Sequence, residues 1–131
     1  MVQMVTVNEL MPKTGAIVNA EHQPLSPETM AHIDTVLTFL EQELGDRTYF
    51  GGDTLNLADI VVGATVPLLS RMGLDLSAYR SLKAWCQTIT TRQAWIETSP
   101  SDTALTLWQQ WVQRQIRAKF VLQERKRRQA S

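Results

Sequence analysis

Leu55-Asn56-Leu57-Ala58-Asp59-Ile60 is the stretch of sequence that decides the fold. The side chain of Asn56 can accept a hydrogen bond from the backbone N–H of Asp59, and the Asp59 side chain can accept one from the N–H of Asn56. This reciprocal pair is a capping box, with Asn and Asp in place of the commoner Ser or Thr and Glu. Leu55 and Ile60 occupy the two positions of a hydrophobic staple. The stretch predicts the start of a helix, and we interpret these residues as structural rather than catalytic.

The helix predicted to follow runs from Leu57 to about Met72. Its apolar residues do not keep to one face, which is typical of a helix at the centre of a bundle. Pro67 predicts a bend, and Gly73 predicts the end of the helix. The apolar residues are Leu57, Ile60, Val61, Val62, Ala64, Val66, Leu68 and Leu69.

Two helices are predicted upstream of this one. Apolar spacing predicts the first over residues 2–20, with a kink at Pro12. The second begins after Ser26, a capping residue, with Pro27 at its first position, and ends at Gly45 in a left-handed cap. Its predicted buried face consists of Met30, Ile33, Val36, Leu37, Leu40 and Leu44.

Downstream, apolar spacing predicts a short helix over Ser81–Thr90 and a further turn over Ala94–Thr98. Ser101 or Asp102 caps a long last helix. The sequence thus predicts an all-α fold, a bundle of five to six helices around a buried central helix. Its tryptophans, expected in the core or at a domain interface, are Trp85, Trp95, Trp108 and Trp111.

Composition fits one domain, residues 1–131, with 44% hydrophobic and 20% charged residues. No apolar run approaches the roughly 20 residues that a membrane helix needs, so we expect no membrane partner. The first residues lack the pattern of a secretory signal. The single cysteine, Cys86, excludes an internal disulfide, and a cytoplasmic location is the simplest interpretation.

Charge is distributed unevenly along the chain. Residues 1–102 hold six basic and twelve acidic residues, a net charge of −6, whereas residues 103–131 hold seven basic and one acidic residue, a net charge of +6. Residues 114–131 are predicted to be a basic extension of the last helix, with a disordered end. Basic segments can bind nucleic acid or acidic surfaces. We favour a solvated helix end, where cations complement the helix dipole, over nucleic-acid binding.

Three segments carry a family resemblance. Tyr49-Phe50-Gly51-Gly52-Asp53-Thr54-Leu55-Asn56-Leu57-Ala58-Asp59-Ile60 resembles the stretch before the buried helix in the C-terminal, all-helical domain of the glutathione S-transferase family. Tyr79–Trp85 and Thr91–Trp95 resemble two later segments of that domain, in which the family has prolines at the positions of Arg80 and Gln93 here. The resemblance covers roughly residues 5 to 112.

The resemblance implies that two domains have different roles in the reaction. In that family a preceding thioredoxin-like domain binds glutathione and activates its thiol, while the helical domain lines the pocket for the electrophile and helps to form a dimer. These 131 residues show no βαβ pattern, so the catalytic residue is unassigned and the chain alone is expected to be inactive. No cofactor is expected within the chain; glutathione would be the co-substrate if the missing domain is present.

The resemblance also suggests residues for the pocket or interface: Asn8, Met11, Gly15 and Tyr49. The alternative is that Met11 belongs to the core and that the other three are surface or turn residues. The expected partners are a second copy of the chain or a thioredoxin-like domain. An alternative function is a stand-alone, non-catalytic interaction module, such as similar domains form in translation-factor and tRNA-synthetase assemblies.

No metal site is predicted. His22 and His32 lie ten residues apart without an acidic or cysteine residue at ligand spacing. Cys86, next to a tryptophan, is predicted to be a small buried hydrophobic residue rather than a nucleophile.

Overall fold

The fold is described from a computed structural model covering residues 1–130. Every regular element in this range is a helix, and the only β-type pairing is an isolated antiparallel bridge between Tyr49 and Gly52. The predicted all-α class is therefore confirmed.

The described residues form six helical segments. The first, α1, is continuous but consists of four pieces: Val2–Val5 (α), Thr6–Leu10 (π), Met11–Lys13 (3-10) and Thr14–Val18 (α). The remaining five are α2 (Pro27–Leu44), α3 (Leu57–Arg71), α4 (Arg80–Ile89), α5 (Gln93–Thr98) and α6 (Asp102–Ala130).

Pro12 accounts for the irregularity of α1. Proline has no N–H to donate, and its ring crowds the carbonyl of the preceding turn. Before it the helix widens, with the Met11 N–H donating to the Thr6 carbonyl; after it the helix tightens, with the Thr14 N–H donating to the Met11 carbonyl. Where the sequence predicts a kink, the structure changes helix type.

Helix α2 begins as its sequence predicts. The Ser26 hydroxyl accepts a hydrogen bond from the Thr29 N–H at 3.1 Å, and Pro27 is the first helical residue. Gly45 ends the helix at φ 56°, but its ψ of −131° lies outside the left-handed helical region that we predicted. The prediction for Met30 was wrong, because its side chain is exposed. The buried face comprises Ile33, Val36, Leu37, Leu40 and Leu44.

Helix α3 packs on α1 and α4 at the centre of the bundle. Only part of its surface is covered, however. Leu57, Ile60 and Ala64 lie on one open side of the helix, which the all-round apolar pattern did not indicate. The covered residues are Ala58, Asp59, Val62, Gly63, Thr65, Val66 and Leu69.

Helix α6 has 29 residues and a length of about 43 Å. Of the two capping residues considered, Ser101 does the capping: its hydroxyl accepts a hydrogen bond from the Ala104 N–H at 3.1 Å. The buried Gln113 fixes the helix to the end of α1 by donating to the Val18 carbonyl at 3.0 Å. Every residue from Arg117 to Ala130 is exposed but helical, and the rest of the predicted disordered end, Ser131, lies outside the described residues. Within residues 1–130, no helix combines the length and apolarity needed to span a membrane.

Helix α4 is capped by a residue from another helix. Its N-cap residue, Tyr79, makes no side-chain capping hydrogen bond. The Glu41 carboxylate of α2 instead accepts hydrogen bonds from the backbone N–H groups of Ser81 and Leu82, each at 2.7 Å. A carboxylate there satisfies two orphan amides and complements the helix dipole. Glu41 therefore fastens α4 to α2.

We predict that Glu41→Ala lowers the free energy of unfolding by about 1–3 kcal/mol, because it leaves two partly buried amides without an acceptor. Urea denaturation followed by circular dichroism measures the change. Glu43→Ala is the matched control, since Glu43 is an exposed residue of the same helix, and it should change stability by less than about 0.5 kcal/mol. Equal effects of the two substitutions would contradict the capping role of Glu41.

Candidate functional site

The carboxylate of Asp59 is fully buried and holds four hydrogen bonds. Its Oδ1 accepts from the Phe50 N–H at 2.8 Å and from the Trp85 indole N–H at 2.9 Å. Its Oδ2 accepts from the Gly51 N–H at 3.1 Å and from the Asn56 N–H at 3.0 Å. Four donors compensate for the loss of water around the charge. One side chain thus connects the turn before α3, the start of α3, and α4.

Both reciprocal hydrogen bonds of a capping box are present at the start of α3. In addition to the bond from the Asn56 N–H to Asp59, Asn56 Oδ1 accepts from the Asp59 N–H at 3.3 Å. Leu55, half-buried, and Ile60, 54% exposed, flank the box. Both residues also line the groove described below.

The turn before α3 needs its two glycines for different reasons. A Cβ on Gly51 would lie 2.4 Å from the Thr54 carbonyl oxygen, closer than any side chain tolerates. Gly52 has a φ of 94°, which favours glycine, and it exchanges backbone hydrogen bonds with Tyr49. The glycines therefore let the chain fold closely enough to bring two amides to the carboxylate of Asp59.

A groove with a volume of about 1240 Å³ runs along the open side of α3. Its walls are mainly apolar and come from the open side of α3, from α4, from α5 and from the segment between α5 and α6. The apolar lining includes Leu55, Ile60, Ala64, Pro67, Leu68, Trp95, Ile96 and Pro100. An apolar concave surface with a few polar groups is typical of a small-molecule or docking site.

Trp95 forms one wall through an unusual contact with α3. Pro67 has no N–H, so it cannot satisfy the Gly63 carbonyl four residues earlier. The indole N–H of Trp95 donates to this carbonyl at 2.9 Å. A Cβ on Gly63 would lie 2.7 Å from Trp95 Cζ2, so only glycine allows the indole to approach this closely. Gly63 provides the space for the Trp95 indole, and Pro67 leaves the carbonyl acceptor free, so the two residues together fix the orientation of Trp95.

Two arginines stand at the groove. Arg71 forms an ion pair with Asp102 and donates to the Ser99 hydroxyl, both at 2.9 Å. Arg92 donates to the Tyr49 hydroxyl at 3.2 Å, and its guanidinium carbon lies 5.8 Å from the centre of the Tyr49 ring. Because Arg71 is neutralised by Asp102 and Arg92 contacts a neutral phenol, Arg92 is the cation better placed to attract an anionic group on a ligand.

Cys86 lines the groove but is a poor nucleophile. It is buried, as the sequence predicts, and burial raises the pKa of its thiol to about 12. Since the thiolate is the reactive form, the Cys86 thiol is almost entirely neutral at pH 7. It can serve the groove as an apolar wall.

The residues predicted from the resemblance occupy two regions. Asn8 and Met11 lie exposed on α1, and Gly15 faces α6, with its ideal Cβ position 3.7 Å from Ile116 Cδ1. Tyr49 alone approaches the groove, through Arg92. Their role in a pocket or interface stays a prediction.

The two histidines are held by separate structural contacts. His22 lies 3.1 Å from Gln113 Oε1, and His32 pairs with Glu9 at 3.1 Å. Among residues 1–130, no three His, Cys, Asp or Glu residues are grouped as they would be to hold a metal ion.

Sequence reasoning missed Arg71 and Arg92 and did not connect Trp95 with a groove. One signal was available for Trp95: Pro67 inside a helix requires an outside donor for the Gly63 carbonyl, and an indole N–H is a donor without an acceptor function. Nothing local in the sequence indicates which tryptophan provides it.

We predict that Trp95→Phe and Pro67→Ala are energetically coupled. In the natural background, Trp95→Phe leaves the Gly63 carbonyl without its donor and should cost about 1–3 kcal/mol of stability. An alanine in place of Pro67 would supply a backbone N–H to that carbonyl, so the same substitution should cost about 1 kcal/mol less in the Pro67→Ala background. Urea unfolding of all four proteins measures the coupling. Trp111→Phe is the control, and its effect on the free energy of unfolding should add to that of Pro67→Ala. If the effects of Trp95→Phe and Pro67→Ala also add, the hydrogen bond from the Trp95 indole does not replace the one that Pro67 cannot make.

Comparison with known proteins gives one match, to a family model. A comparison with solved structures found no match. The family model described as glutathione S-transferase, C-terminal domain, matches residues 5–93. These residues include most of α1, all of α2 to α4 and the capping stretch, while the long helix α6 lies beyond them. Since the match covers more than half of its residues, the chain belongs to the glutathione S-transferase C-terminal domain family.

Proposed function

We propose that this chain is the helical half of a glutathione-transferase-like protein, and that its groove forms part of the pocket for the electrophilic substrate. The observation that supports this most is the open side of α3. A central helix that is apolar on all sides leaves Ile60, Ala64 and Leu68 lining a groove instead of covering them with its own bundle. In this proposal a thioredoxin-like domain completes the pocket over that groove.

The proposed chemistry is attack of the glutathione thiolate on an electrophilic carbon, which forms a carbon–sulfur bond and, with an aryl halide, breaks the carbon–halogen bond and releases halide. Glutathione would be held, and its thiol activated, by the thioredoxin-like domain. The groove would bind the apolar part of the electrophile by removing it from water, which contributes about 25 cal/mol for each Å² of apolar surface buried. Arg92 would orient an electron-withdrawing or anionic substituent. The buried, neutral thiol of Cys86 supports the expectation that this half does not supply the nucleophile.

A second apolar surface suits assembly. Met4, Val7 and Met11 are exposed on α1 at spacings of three and four, which places them on one face of the helix. Exposed apolar stripes of this kind commonly mark contact surfaces. In the proposed assembly this face contacts the thioredoxin-like domain or a second copy of the chain.

The proposal is tested first with the chain alone, glutathione and a chromogenic aryl halide. We expect no conjugation above the uncatalysed rate, because the thiol-activating residue belongs to the other domain. Turnover that scales with protein concentration would contradict this division of labour.

The groove is tested by titrating the chain with anilinonaphthalene sulfonate, which has an apolar body and an anionic group. Ile60→Glu introduces a negative charge into the groove at an exposed position, where it repels the sulfonate, and should weaken binding of this probe about tenfold or more. Met30→Glu is the matched control, since Met30 is similarly exposed on α2, away from the groove. Equal affinities of the two variants would show that the groove does not bind apolar anions.

A further inference from the structure

Helix α6 extends beyond the bundle. Its inner face packs on α1 through Gln113 and Ile116, and Leu105 near its start is buried, but no residue after Ile116 is buried or half-buried as far as Ala130. The projecting part therefore has 14 residues and a length of about 21 Å. It carries several large apolar side chains that the bundle leaves in water.

Five exposed apolar residues of α6 lie along one side of the helix, in a row that Gln115 interrupts, while the exposed Phe120 and Val121 point in other directions. Successive helix residues are about 100° apart, which places the stripe within a sector of about 100°. The sector is centred about 150° away from the inner face, so it points away from the bundle. We call this set the α6 stripe; its members, all exposed, are Leu107, Trp108, Trp111, Ala118 and Leu122.

Cations border the α6 stripe on both sides. Three cations of α6 (Arg117, Arg127 and Arg128) lie on other faces by the same helical geometry, but Arg114 and Arg125 lie along one edge of the stripe, and Lys119 and Lys126 lie along the other. All four are exposed. Residues 103–131 contain a single acid, Glu124, and carry a net charge of +6. The result is a linear apolar strip between two basic edges, facing away from a bundle whose residues carry the opposite net charge.

We propose that the α6 stripe lies on the surface of an anionic lipid bilayer, with α6 parallel to the membrane plane. Helices of this type bury Trp and Leu at the level of the headgroups while their Lys and Arg side chains contact anionic lipids. Such a helix does not span the bilayer, so its binding needs no apolar segment of spanning length. The expectation of no membrane partner depended on spanning length alone, and this proposal revises it for the membrane surface.

A bilayer fits this surface better than a nucleic acid or a protein. On a nucleic acid the cations would contact phosphates, but Trp111 and Leu122 in the middle of the stripe would stay in water or meet a charged backbone. The stripe is convex, so it offers no pocket for a partner's side chain, whereas a fluid bilayer requires none. Its orientation also places the negatively charged bundle on the side remote from the lipid, where repulsion is weakest.

The test is co-sedimentation of the full chain with vesicles, together with the tryptophan emission spectrum. We expect binding and a blue shift with phosphatidylcholine vesicles containing 30% phosphatidylglycerol, and at least tenfold weaker binding to pure phosphatidylcholine, because each cation near the surface contributes a factor of about five. Raising the salt concentration from 0.1 M to 1 M should release the protein, since the screening length falls to about 3 Å.

Two double variants separate the apolar and electrostatic contributions. Trp111→Ser with Leu122→Ser, and separately Lys119→Glu with Lys126→Glu, should each weaken vesicle binding about tenfold or more. Met30→Ser with Leu57→Ser is the control; it removes two similarly exposed apolar side chains outside α6 and outside the groove lining, and it should change binding less than twofold. Circular dichroism checks that all variants remain folded.

Three outcomes would overturn the proposal. One is equal binding to neutral and anionic vesicles. Another is absence of vesicle binding together with salt-sensitive binding to polyuridylate, which would assign the cations to nucleic acid. The third is absence of vesicle binding together with a dimer that Trp111→Ser with Leu122→Ser converts to a monomer, which would assign the stripe to a second copy of the chain. Each outcome leaves the groove experiments unaffected, because the groove does not include the stripe.

Discussion

The buried carboxylate of Asp59 is the constraint on which the rest of the structure depends. A charge without water is costly unless its surroundings supply several donors. Here the donors come from three parts of the chain: the turn at Phe50 and Gly51, the helix start at Asn56, and the indole of Trp85 on α4. Satisfying the charge therefore fixes the relative positions of these parts, and Phe50 packs edge-on against Trp85 with ring centroids 5.3 Å apart.

The groove follows from the way α3 is held. With its N-terminal end fixed by Asp59, α3 presents one side to the core and leaves the side of Ile60 and Ala64 open. Pro67 opens a gap in the helix's own hydrogen bonding on that side, and Trp95 fills it. Packing and hydrogen bonding thus act together: because Pro67 has no N–H, the Trp95 indole takes the position beside α3 where it forms one wall of the groove. If the groove binds an electrophile, as proposed, its shape depends on contacts that have no catalytic role.

Local interactions were predictable from the sequence, and long-range ones were not. The hydrogen bonds between Asn56 and Asp59 and the Ser26 cap span three residues, so residue type and spacing suffice to predict them. The bond from Trp85 to Asp59 and the cap that Glu41 gives to α4 join residues 26 or more positions apart, and no local pattern encodes their geometry. Hydropathy also overestimated burial at Met30, because periodicity gives the direction of a face but not its width. In the candidate site, the sequence indicated the capping stretch and Tyr49. The groove could be recognised only once the positions of the packed helices were known.

The most direct test of the central role of Asp59 is native-state amide hydrogen exchange of the Asp59→Asn variant, measured by NMR. An amide side chain of the same shape keeps one acceptor oxygen but replaces the other with a donor, so at least two of the four N–H groups lose their partner. The account predicts that the amides on the side of the new donor, either Phe50 or both Gly51 and Asn56, lose most of their protection, by a factor of about 10 to 100, together with global destabilisation of about 3 kcal/mol or more. Protection of all three amides equal to that in the unchanged protein would contradict it.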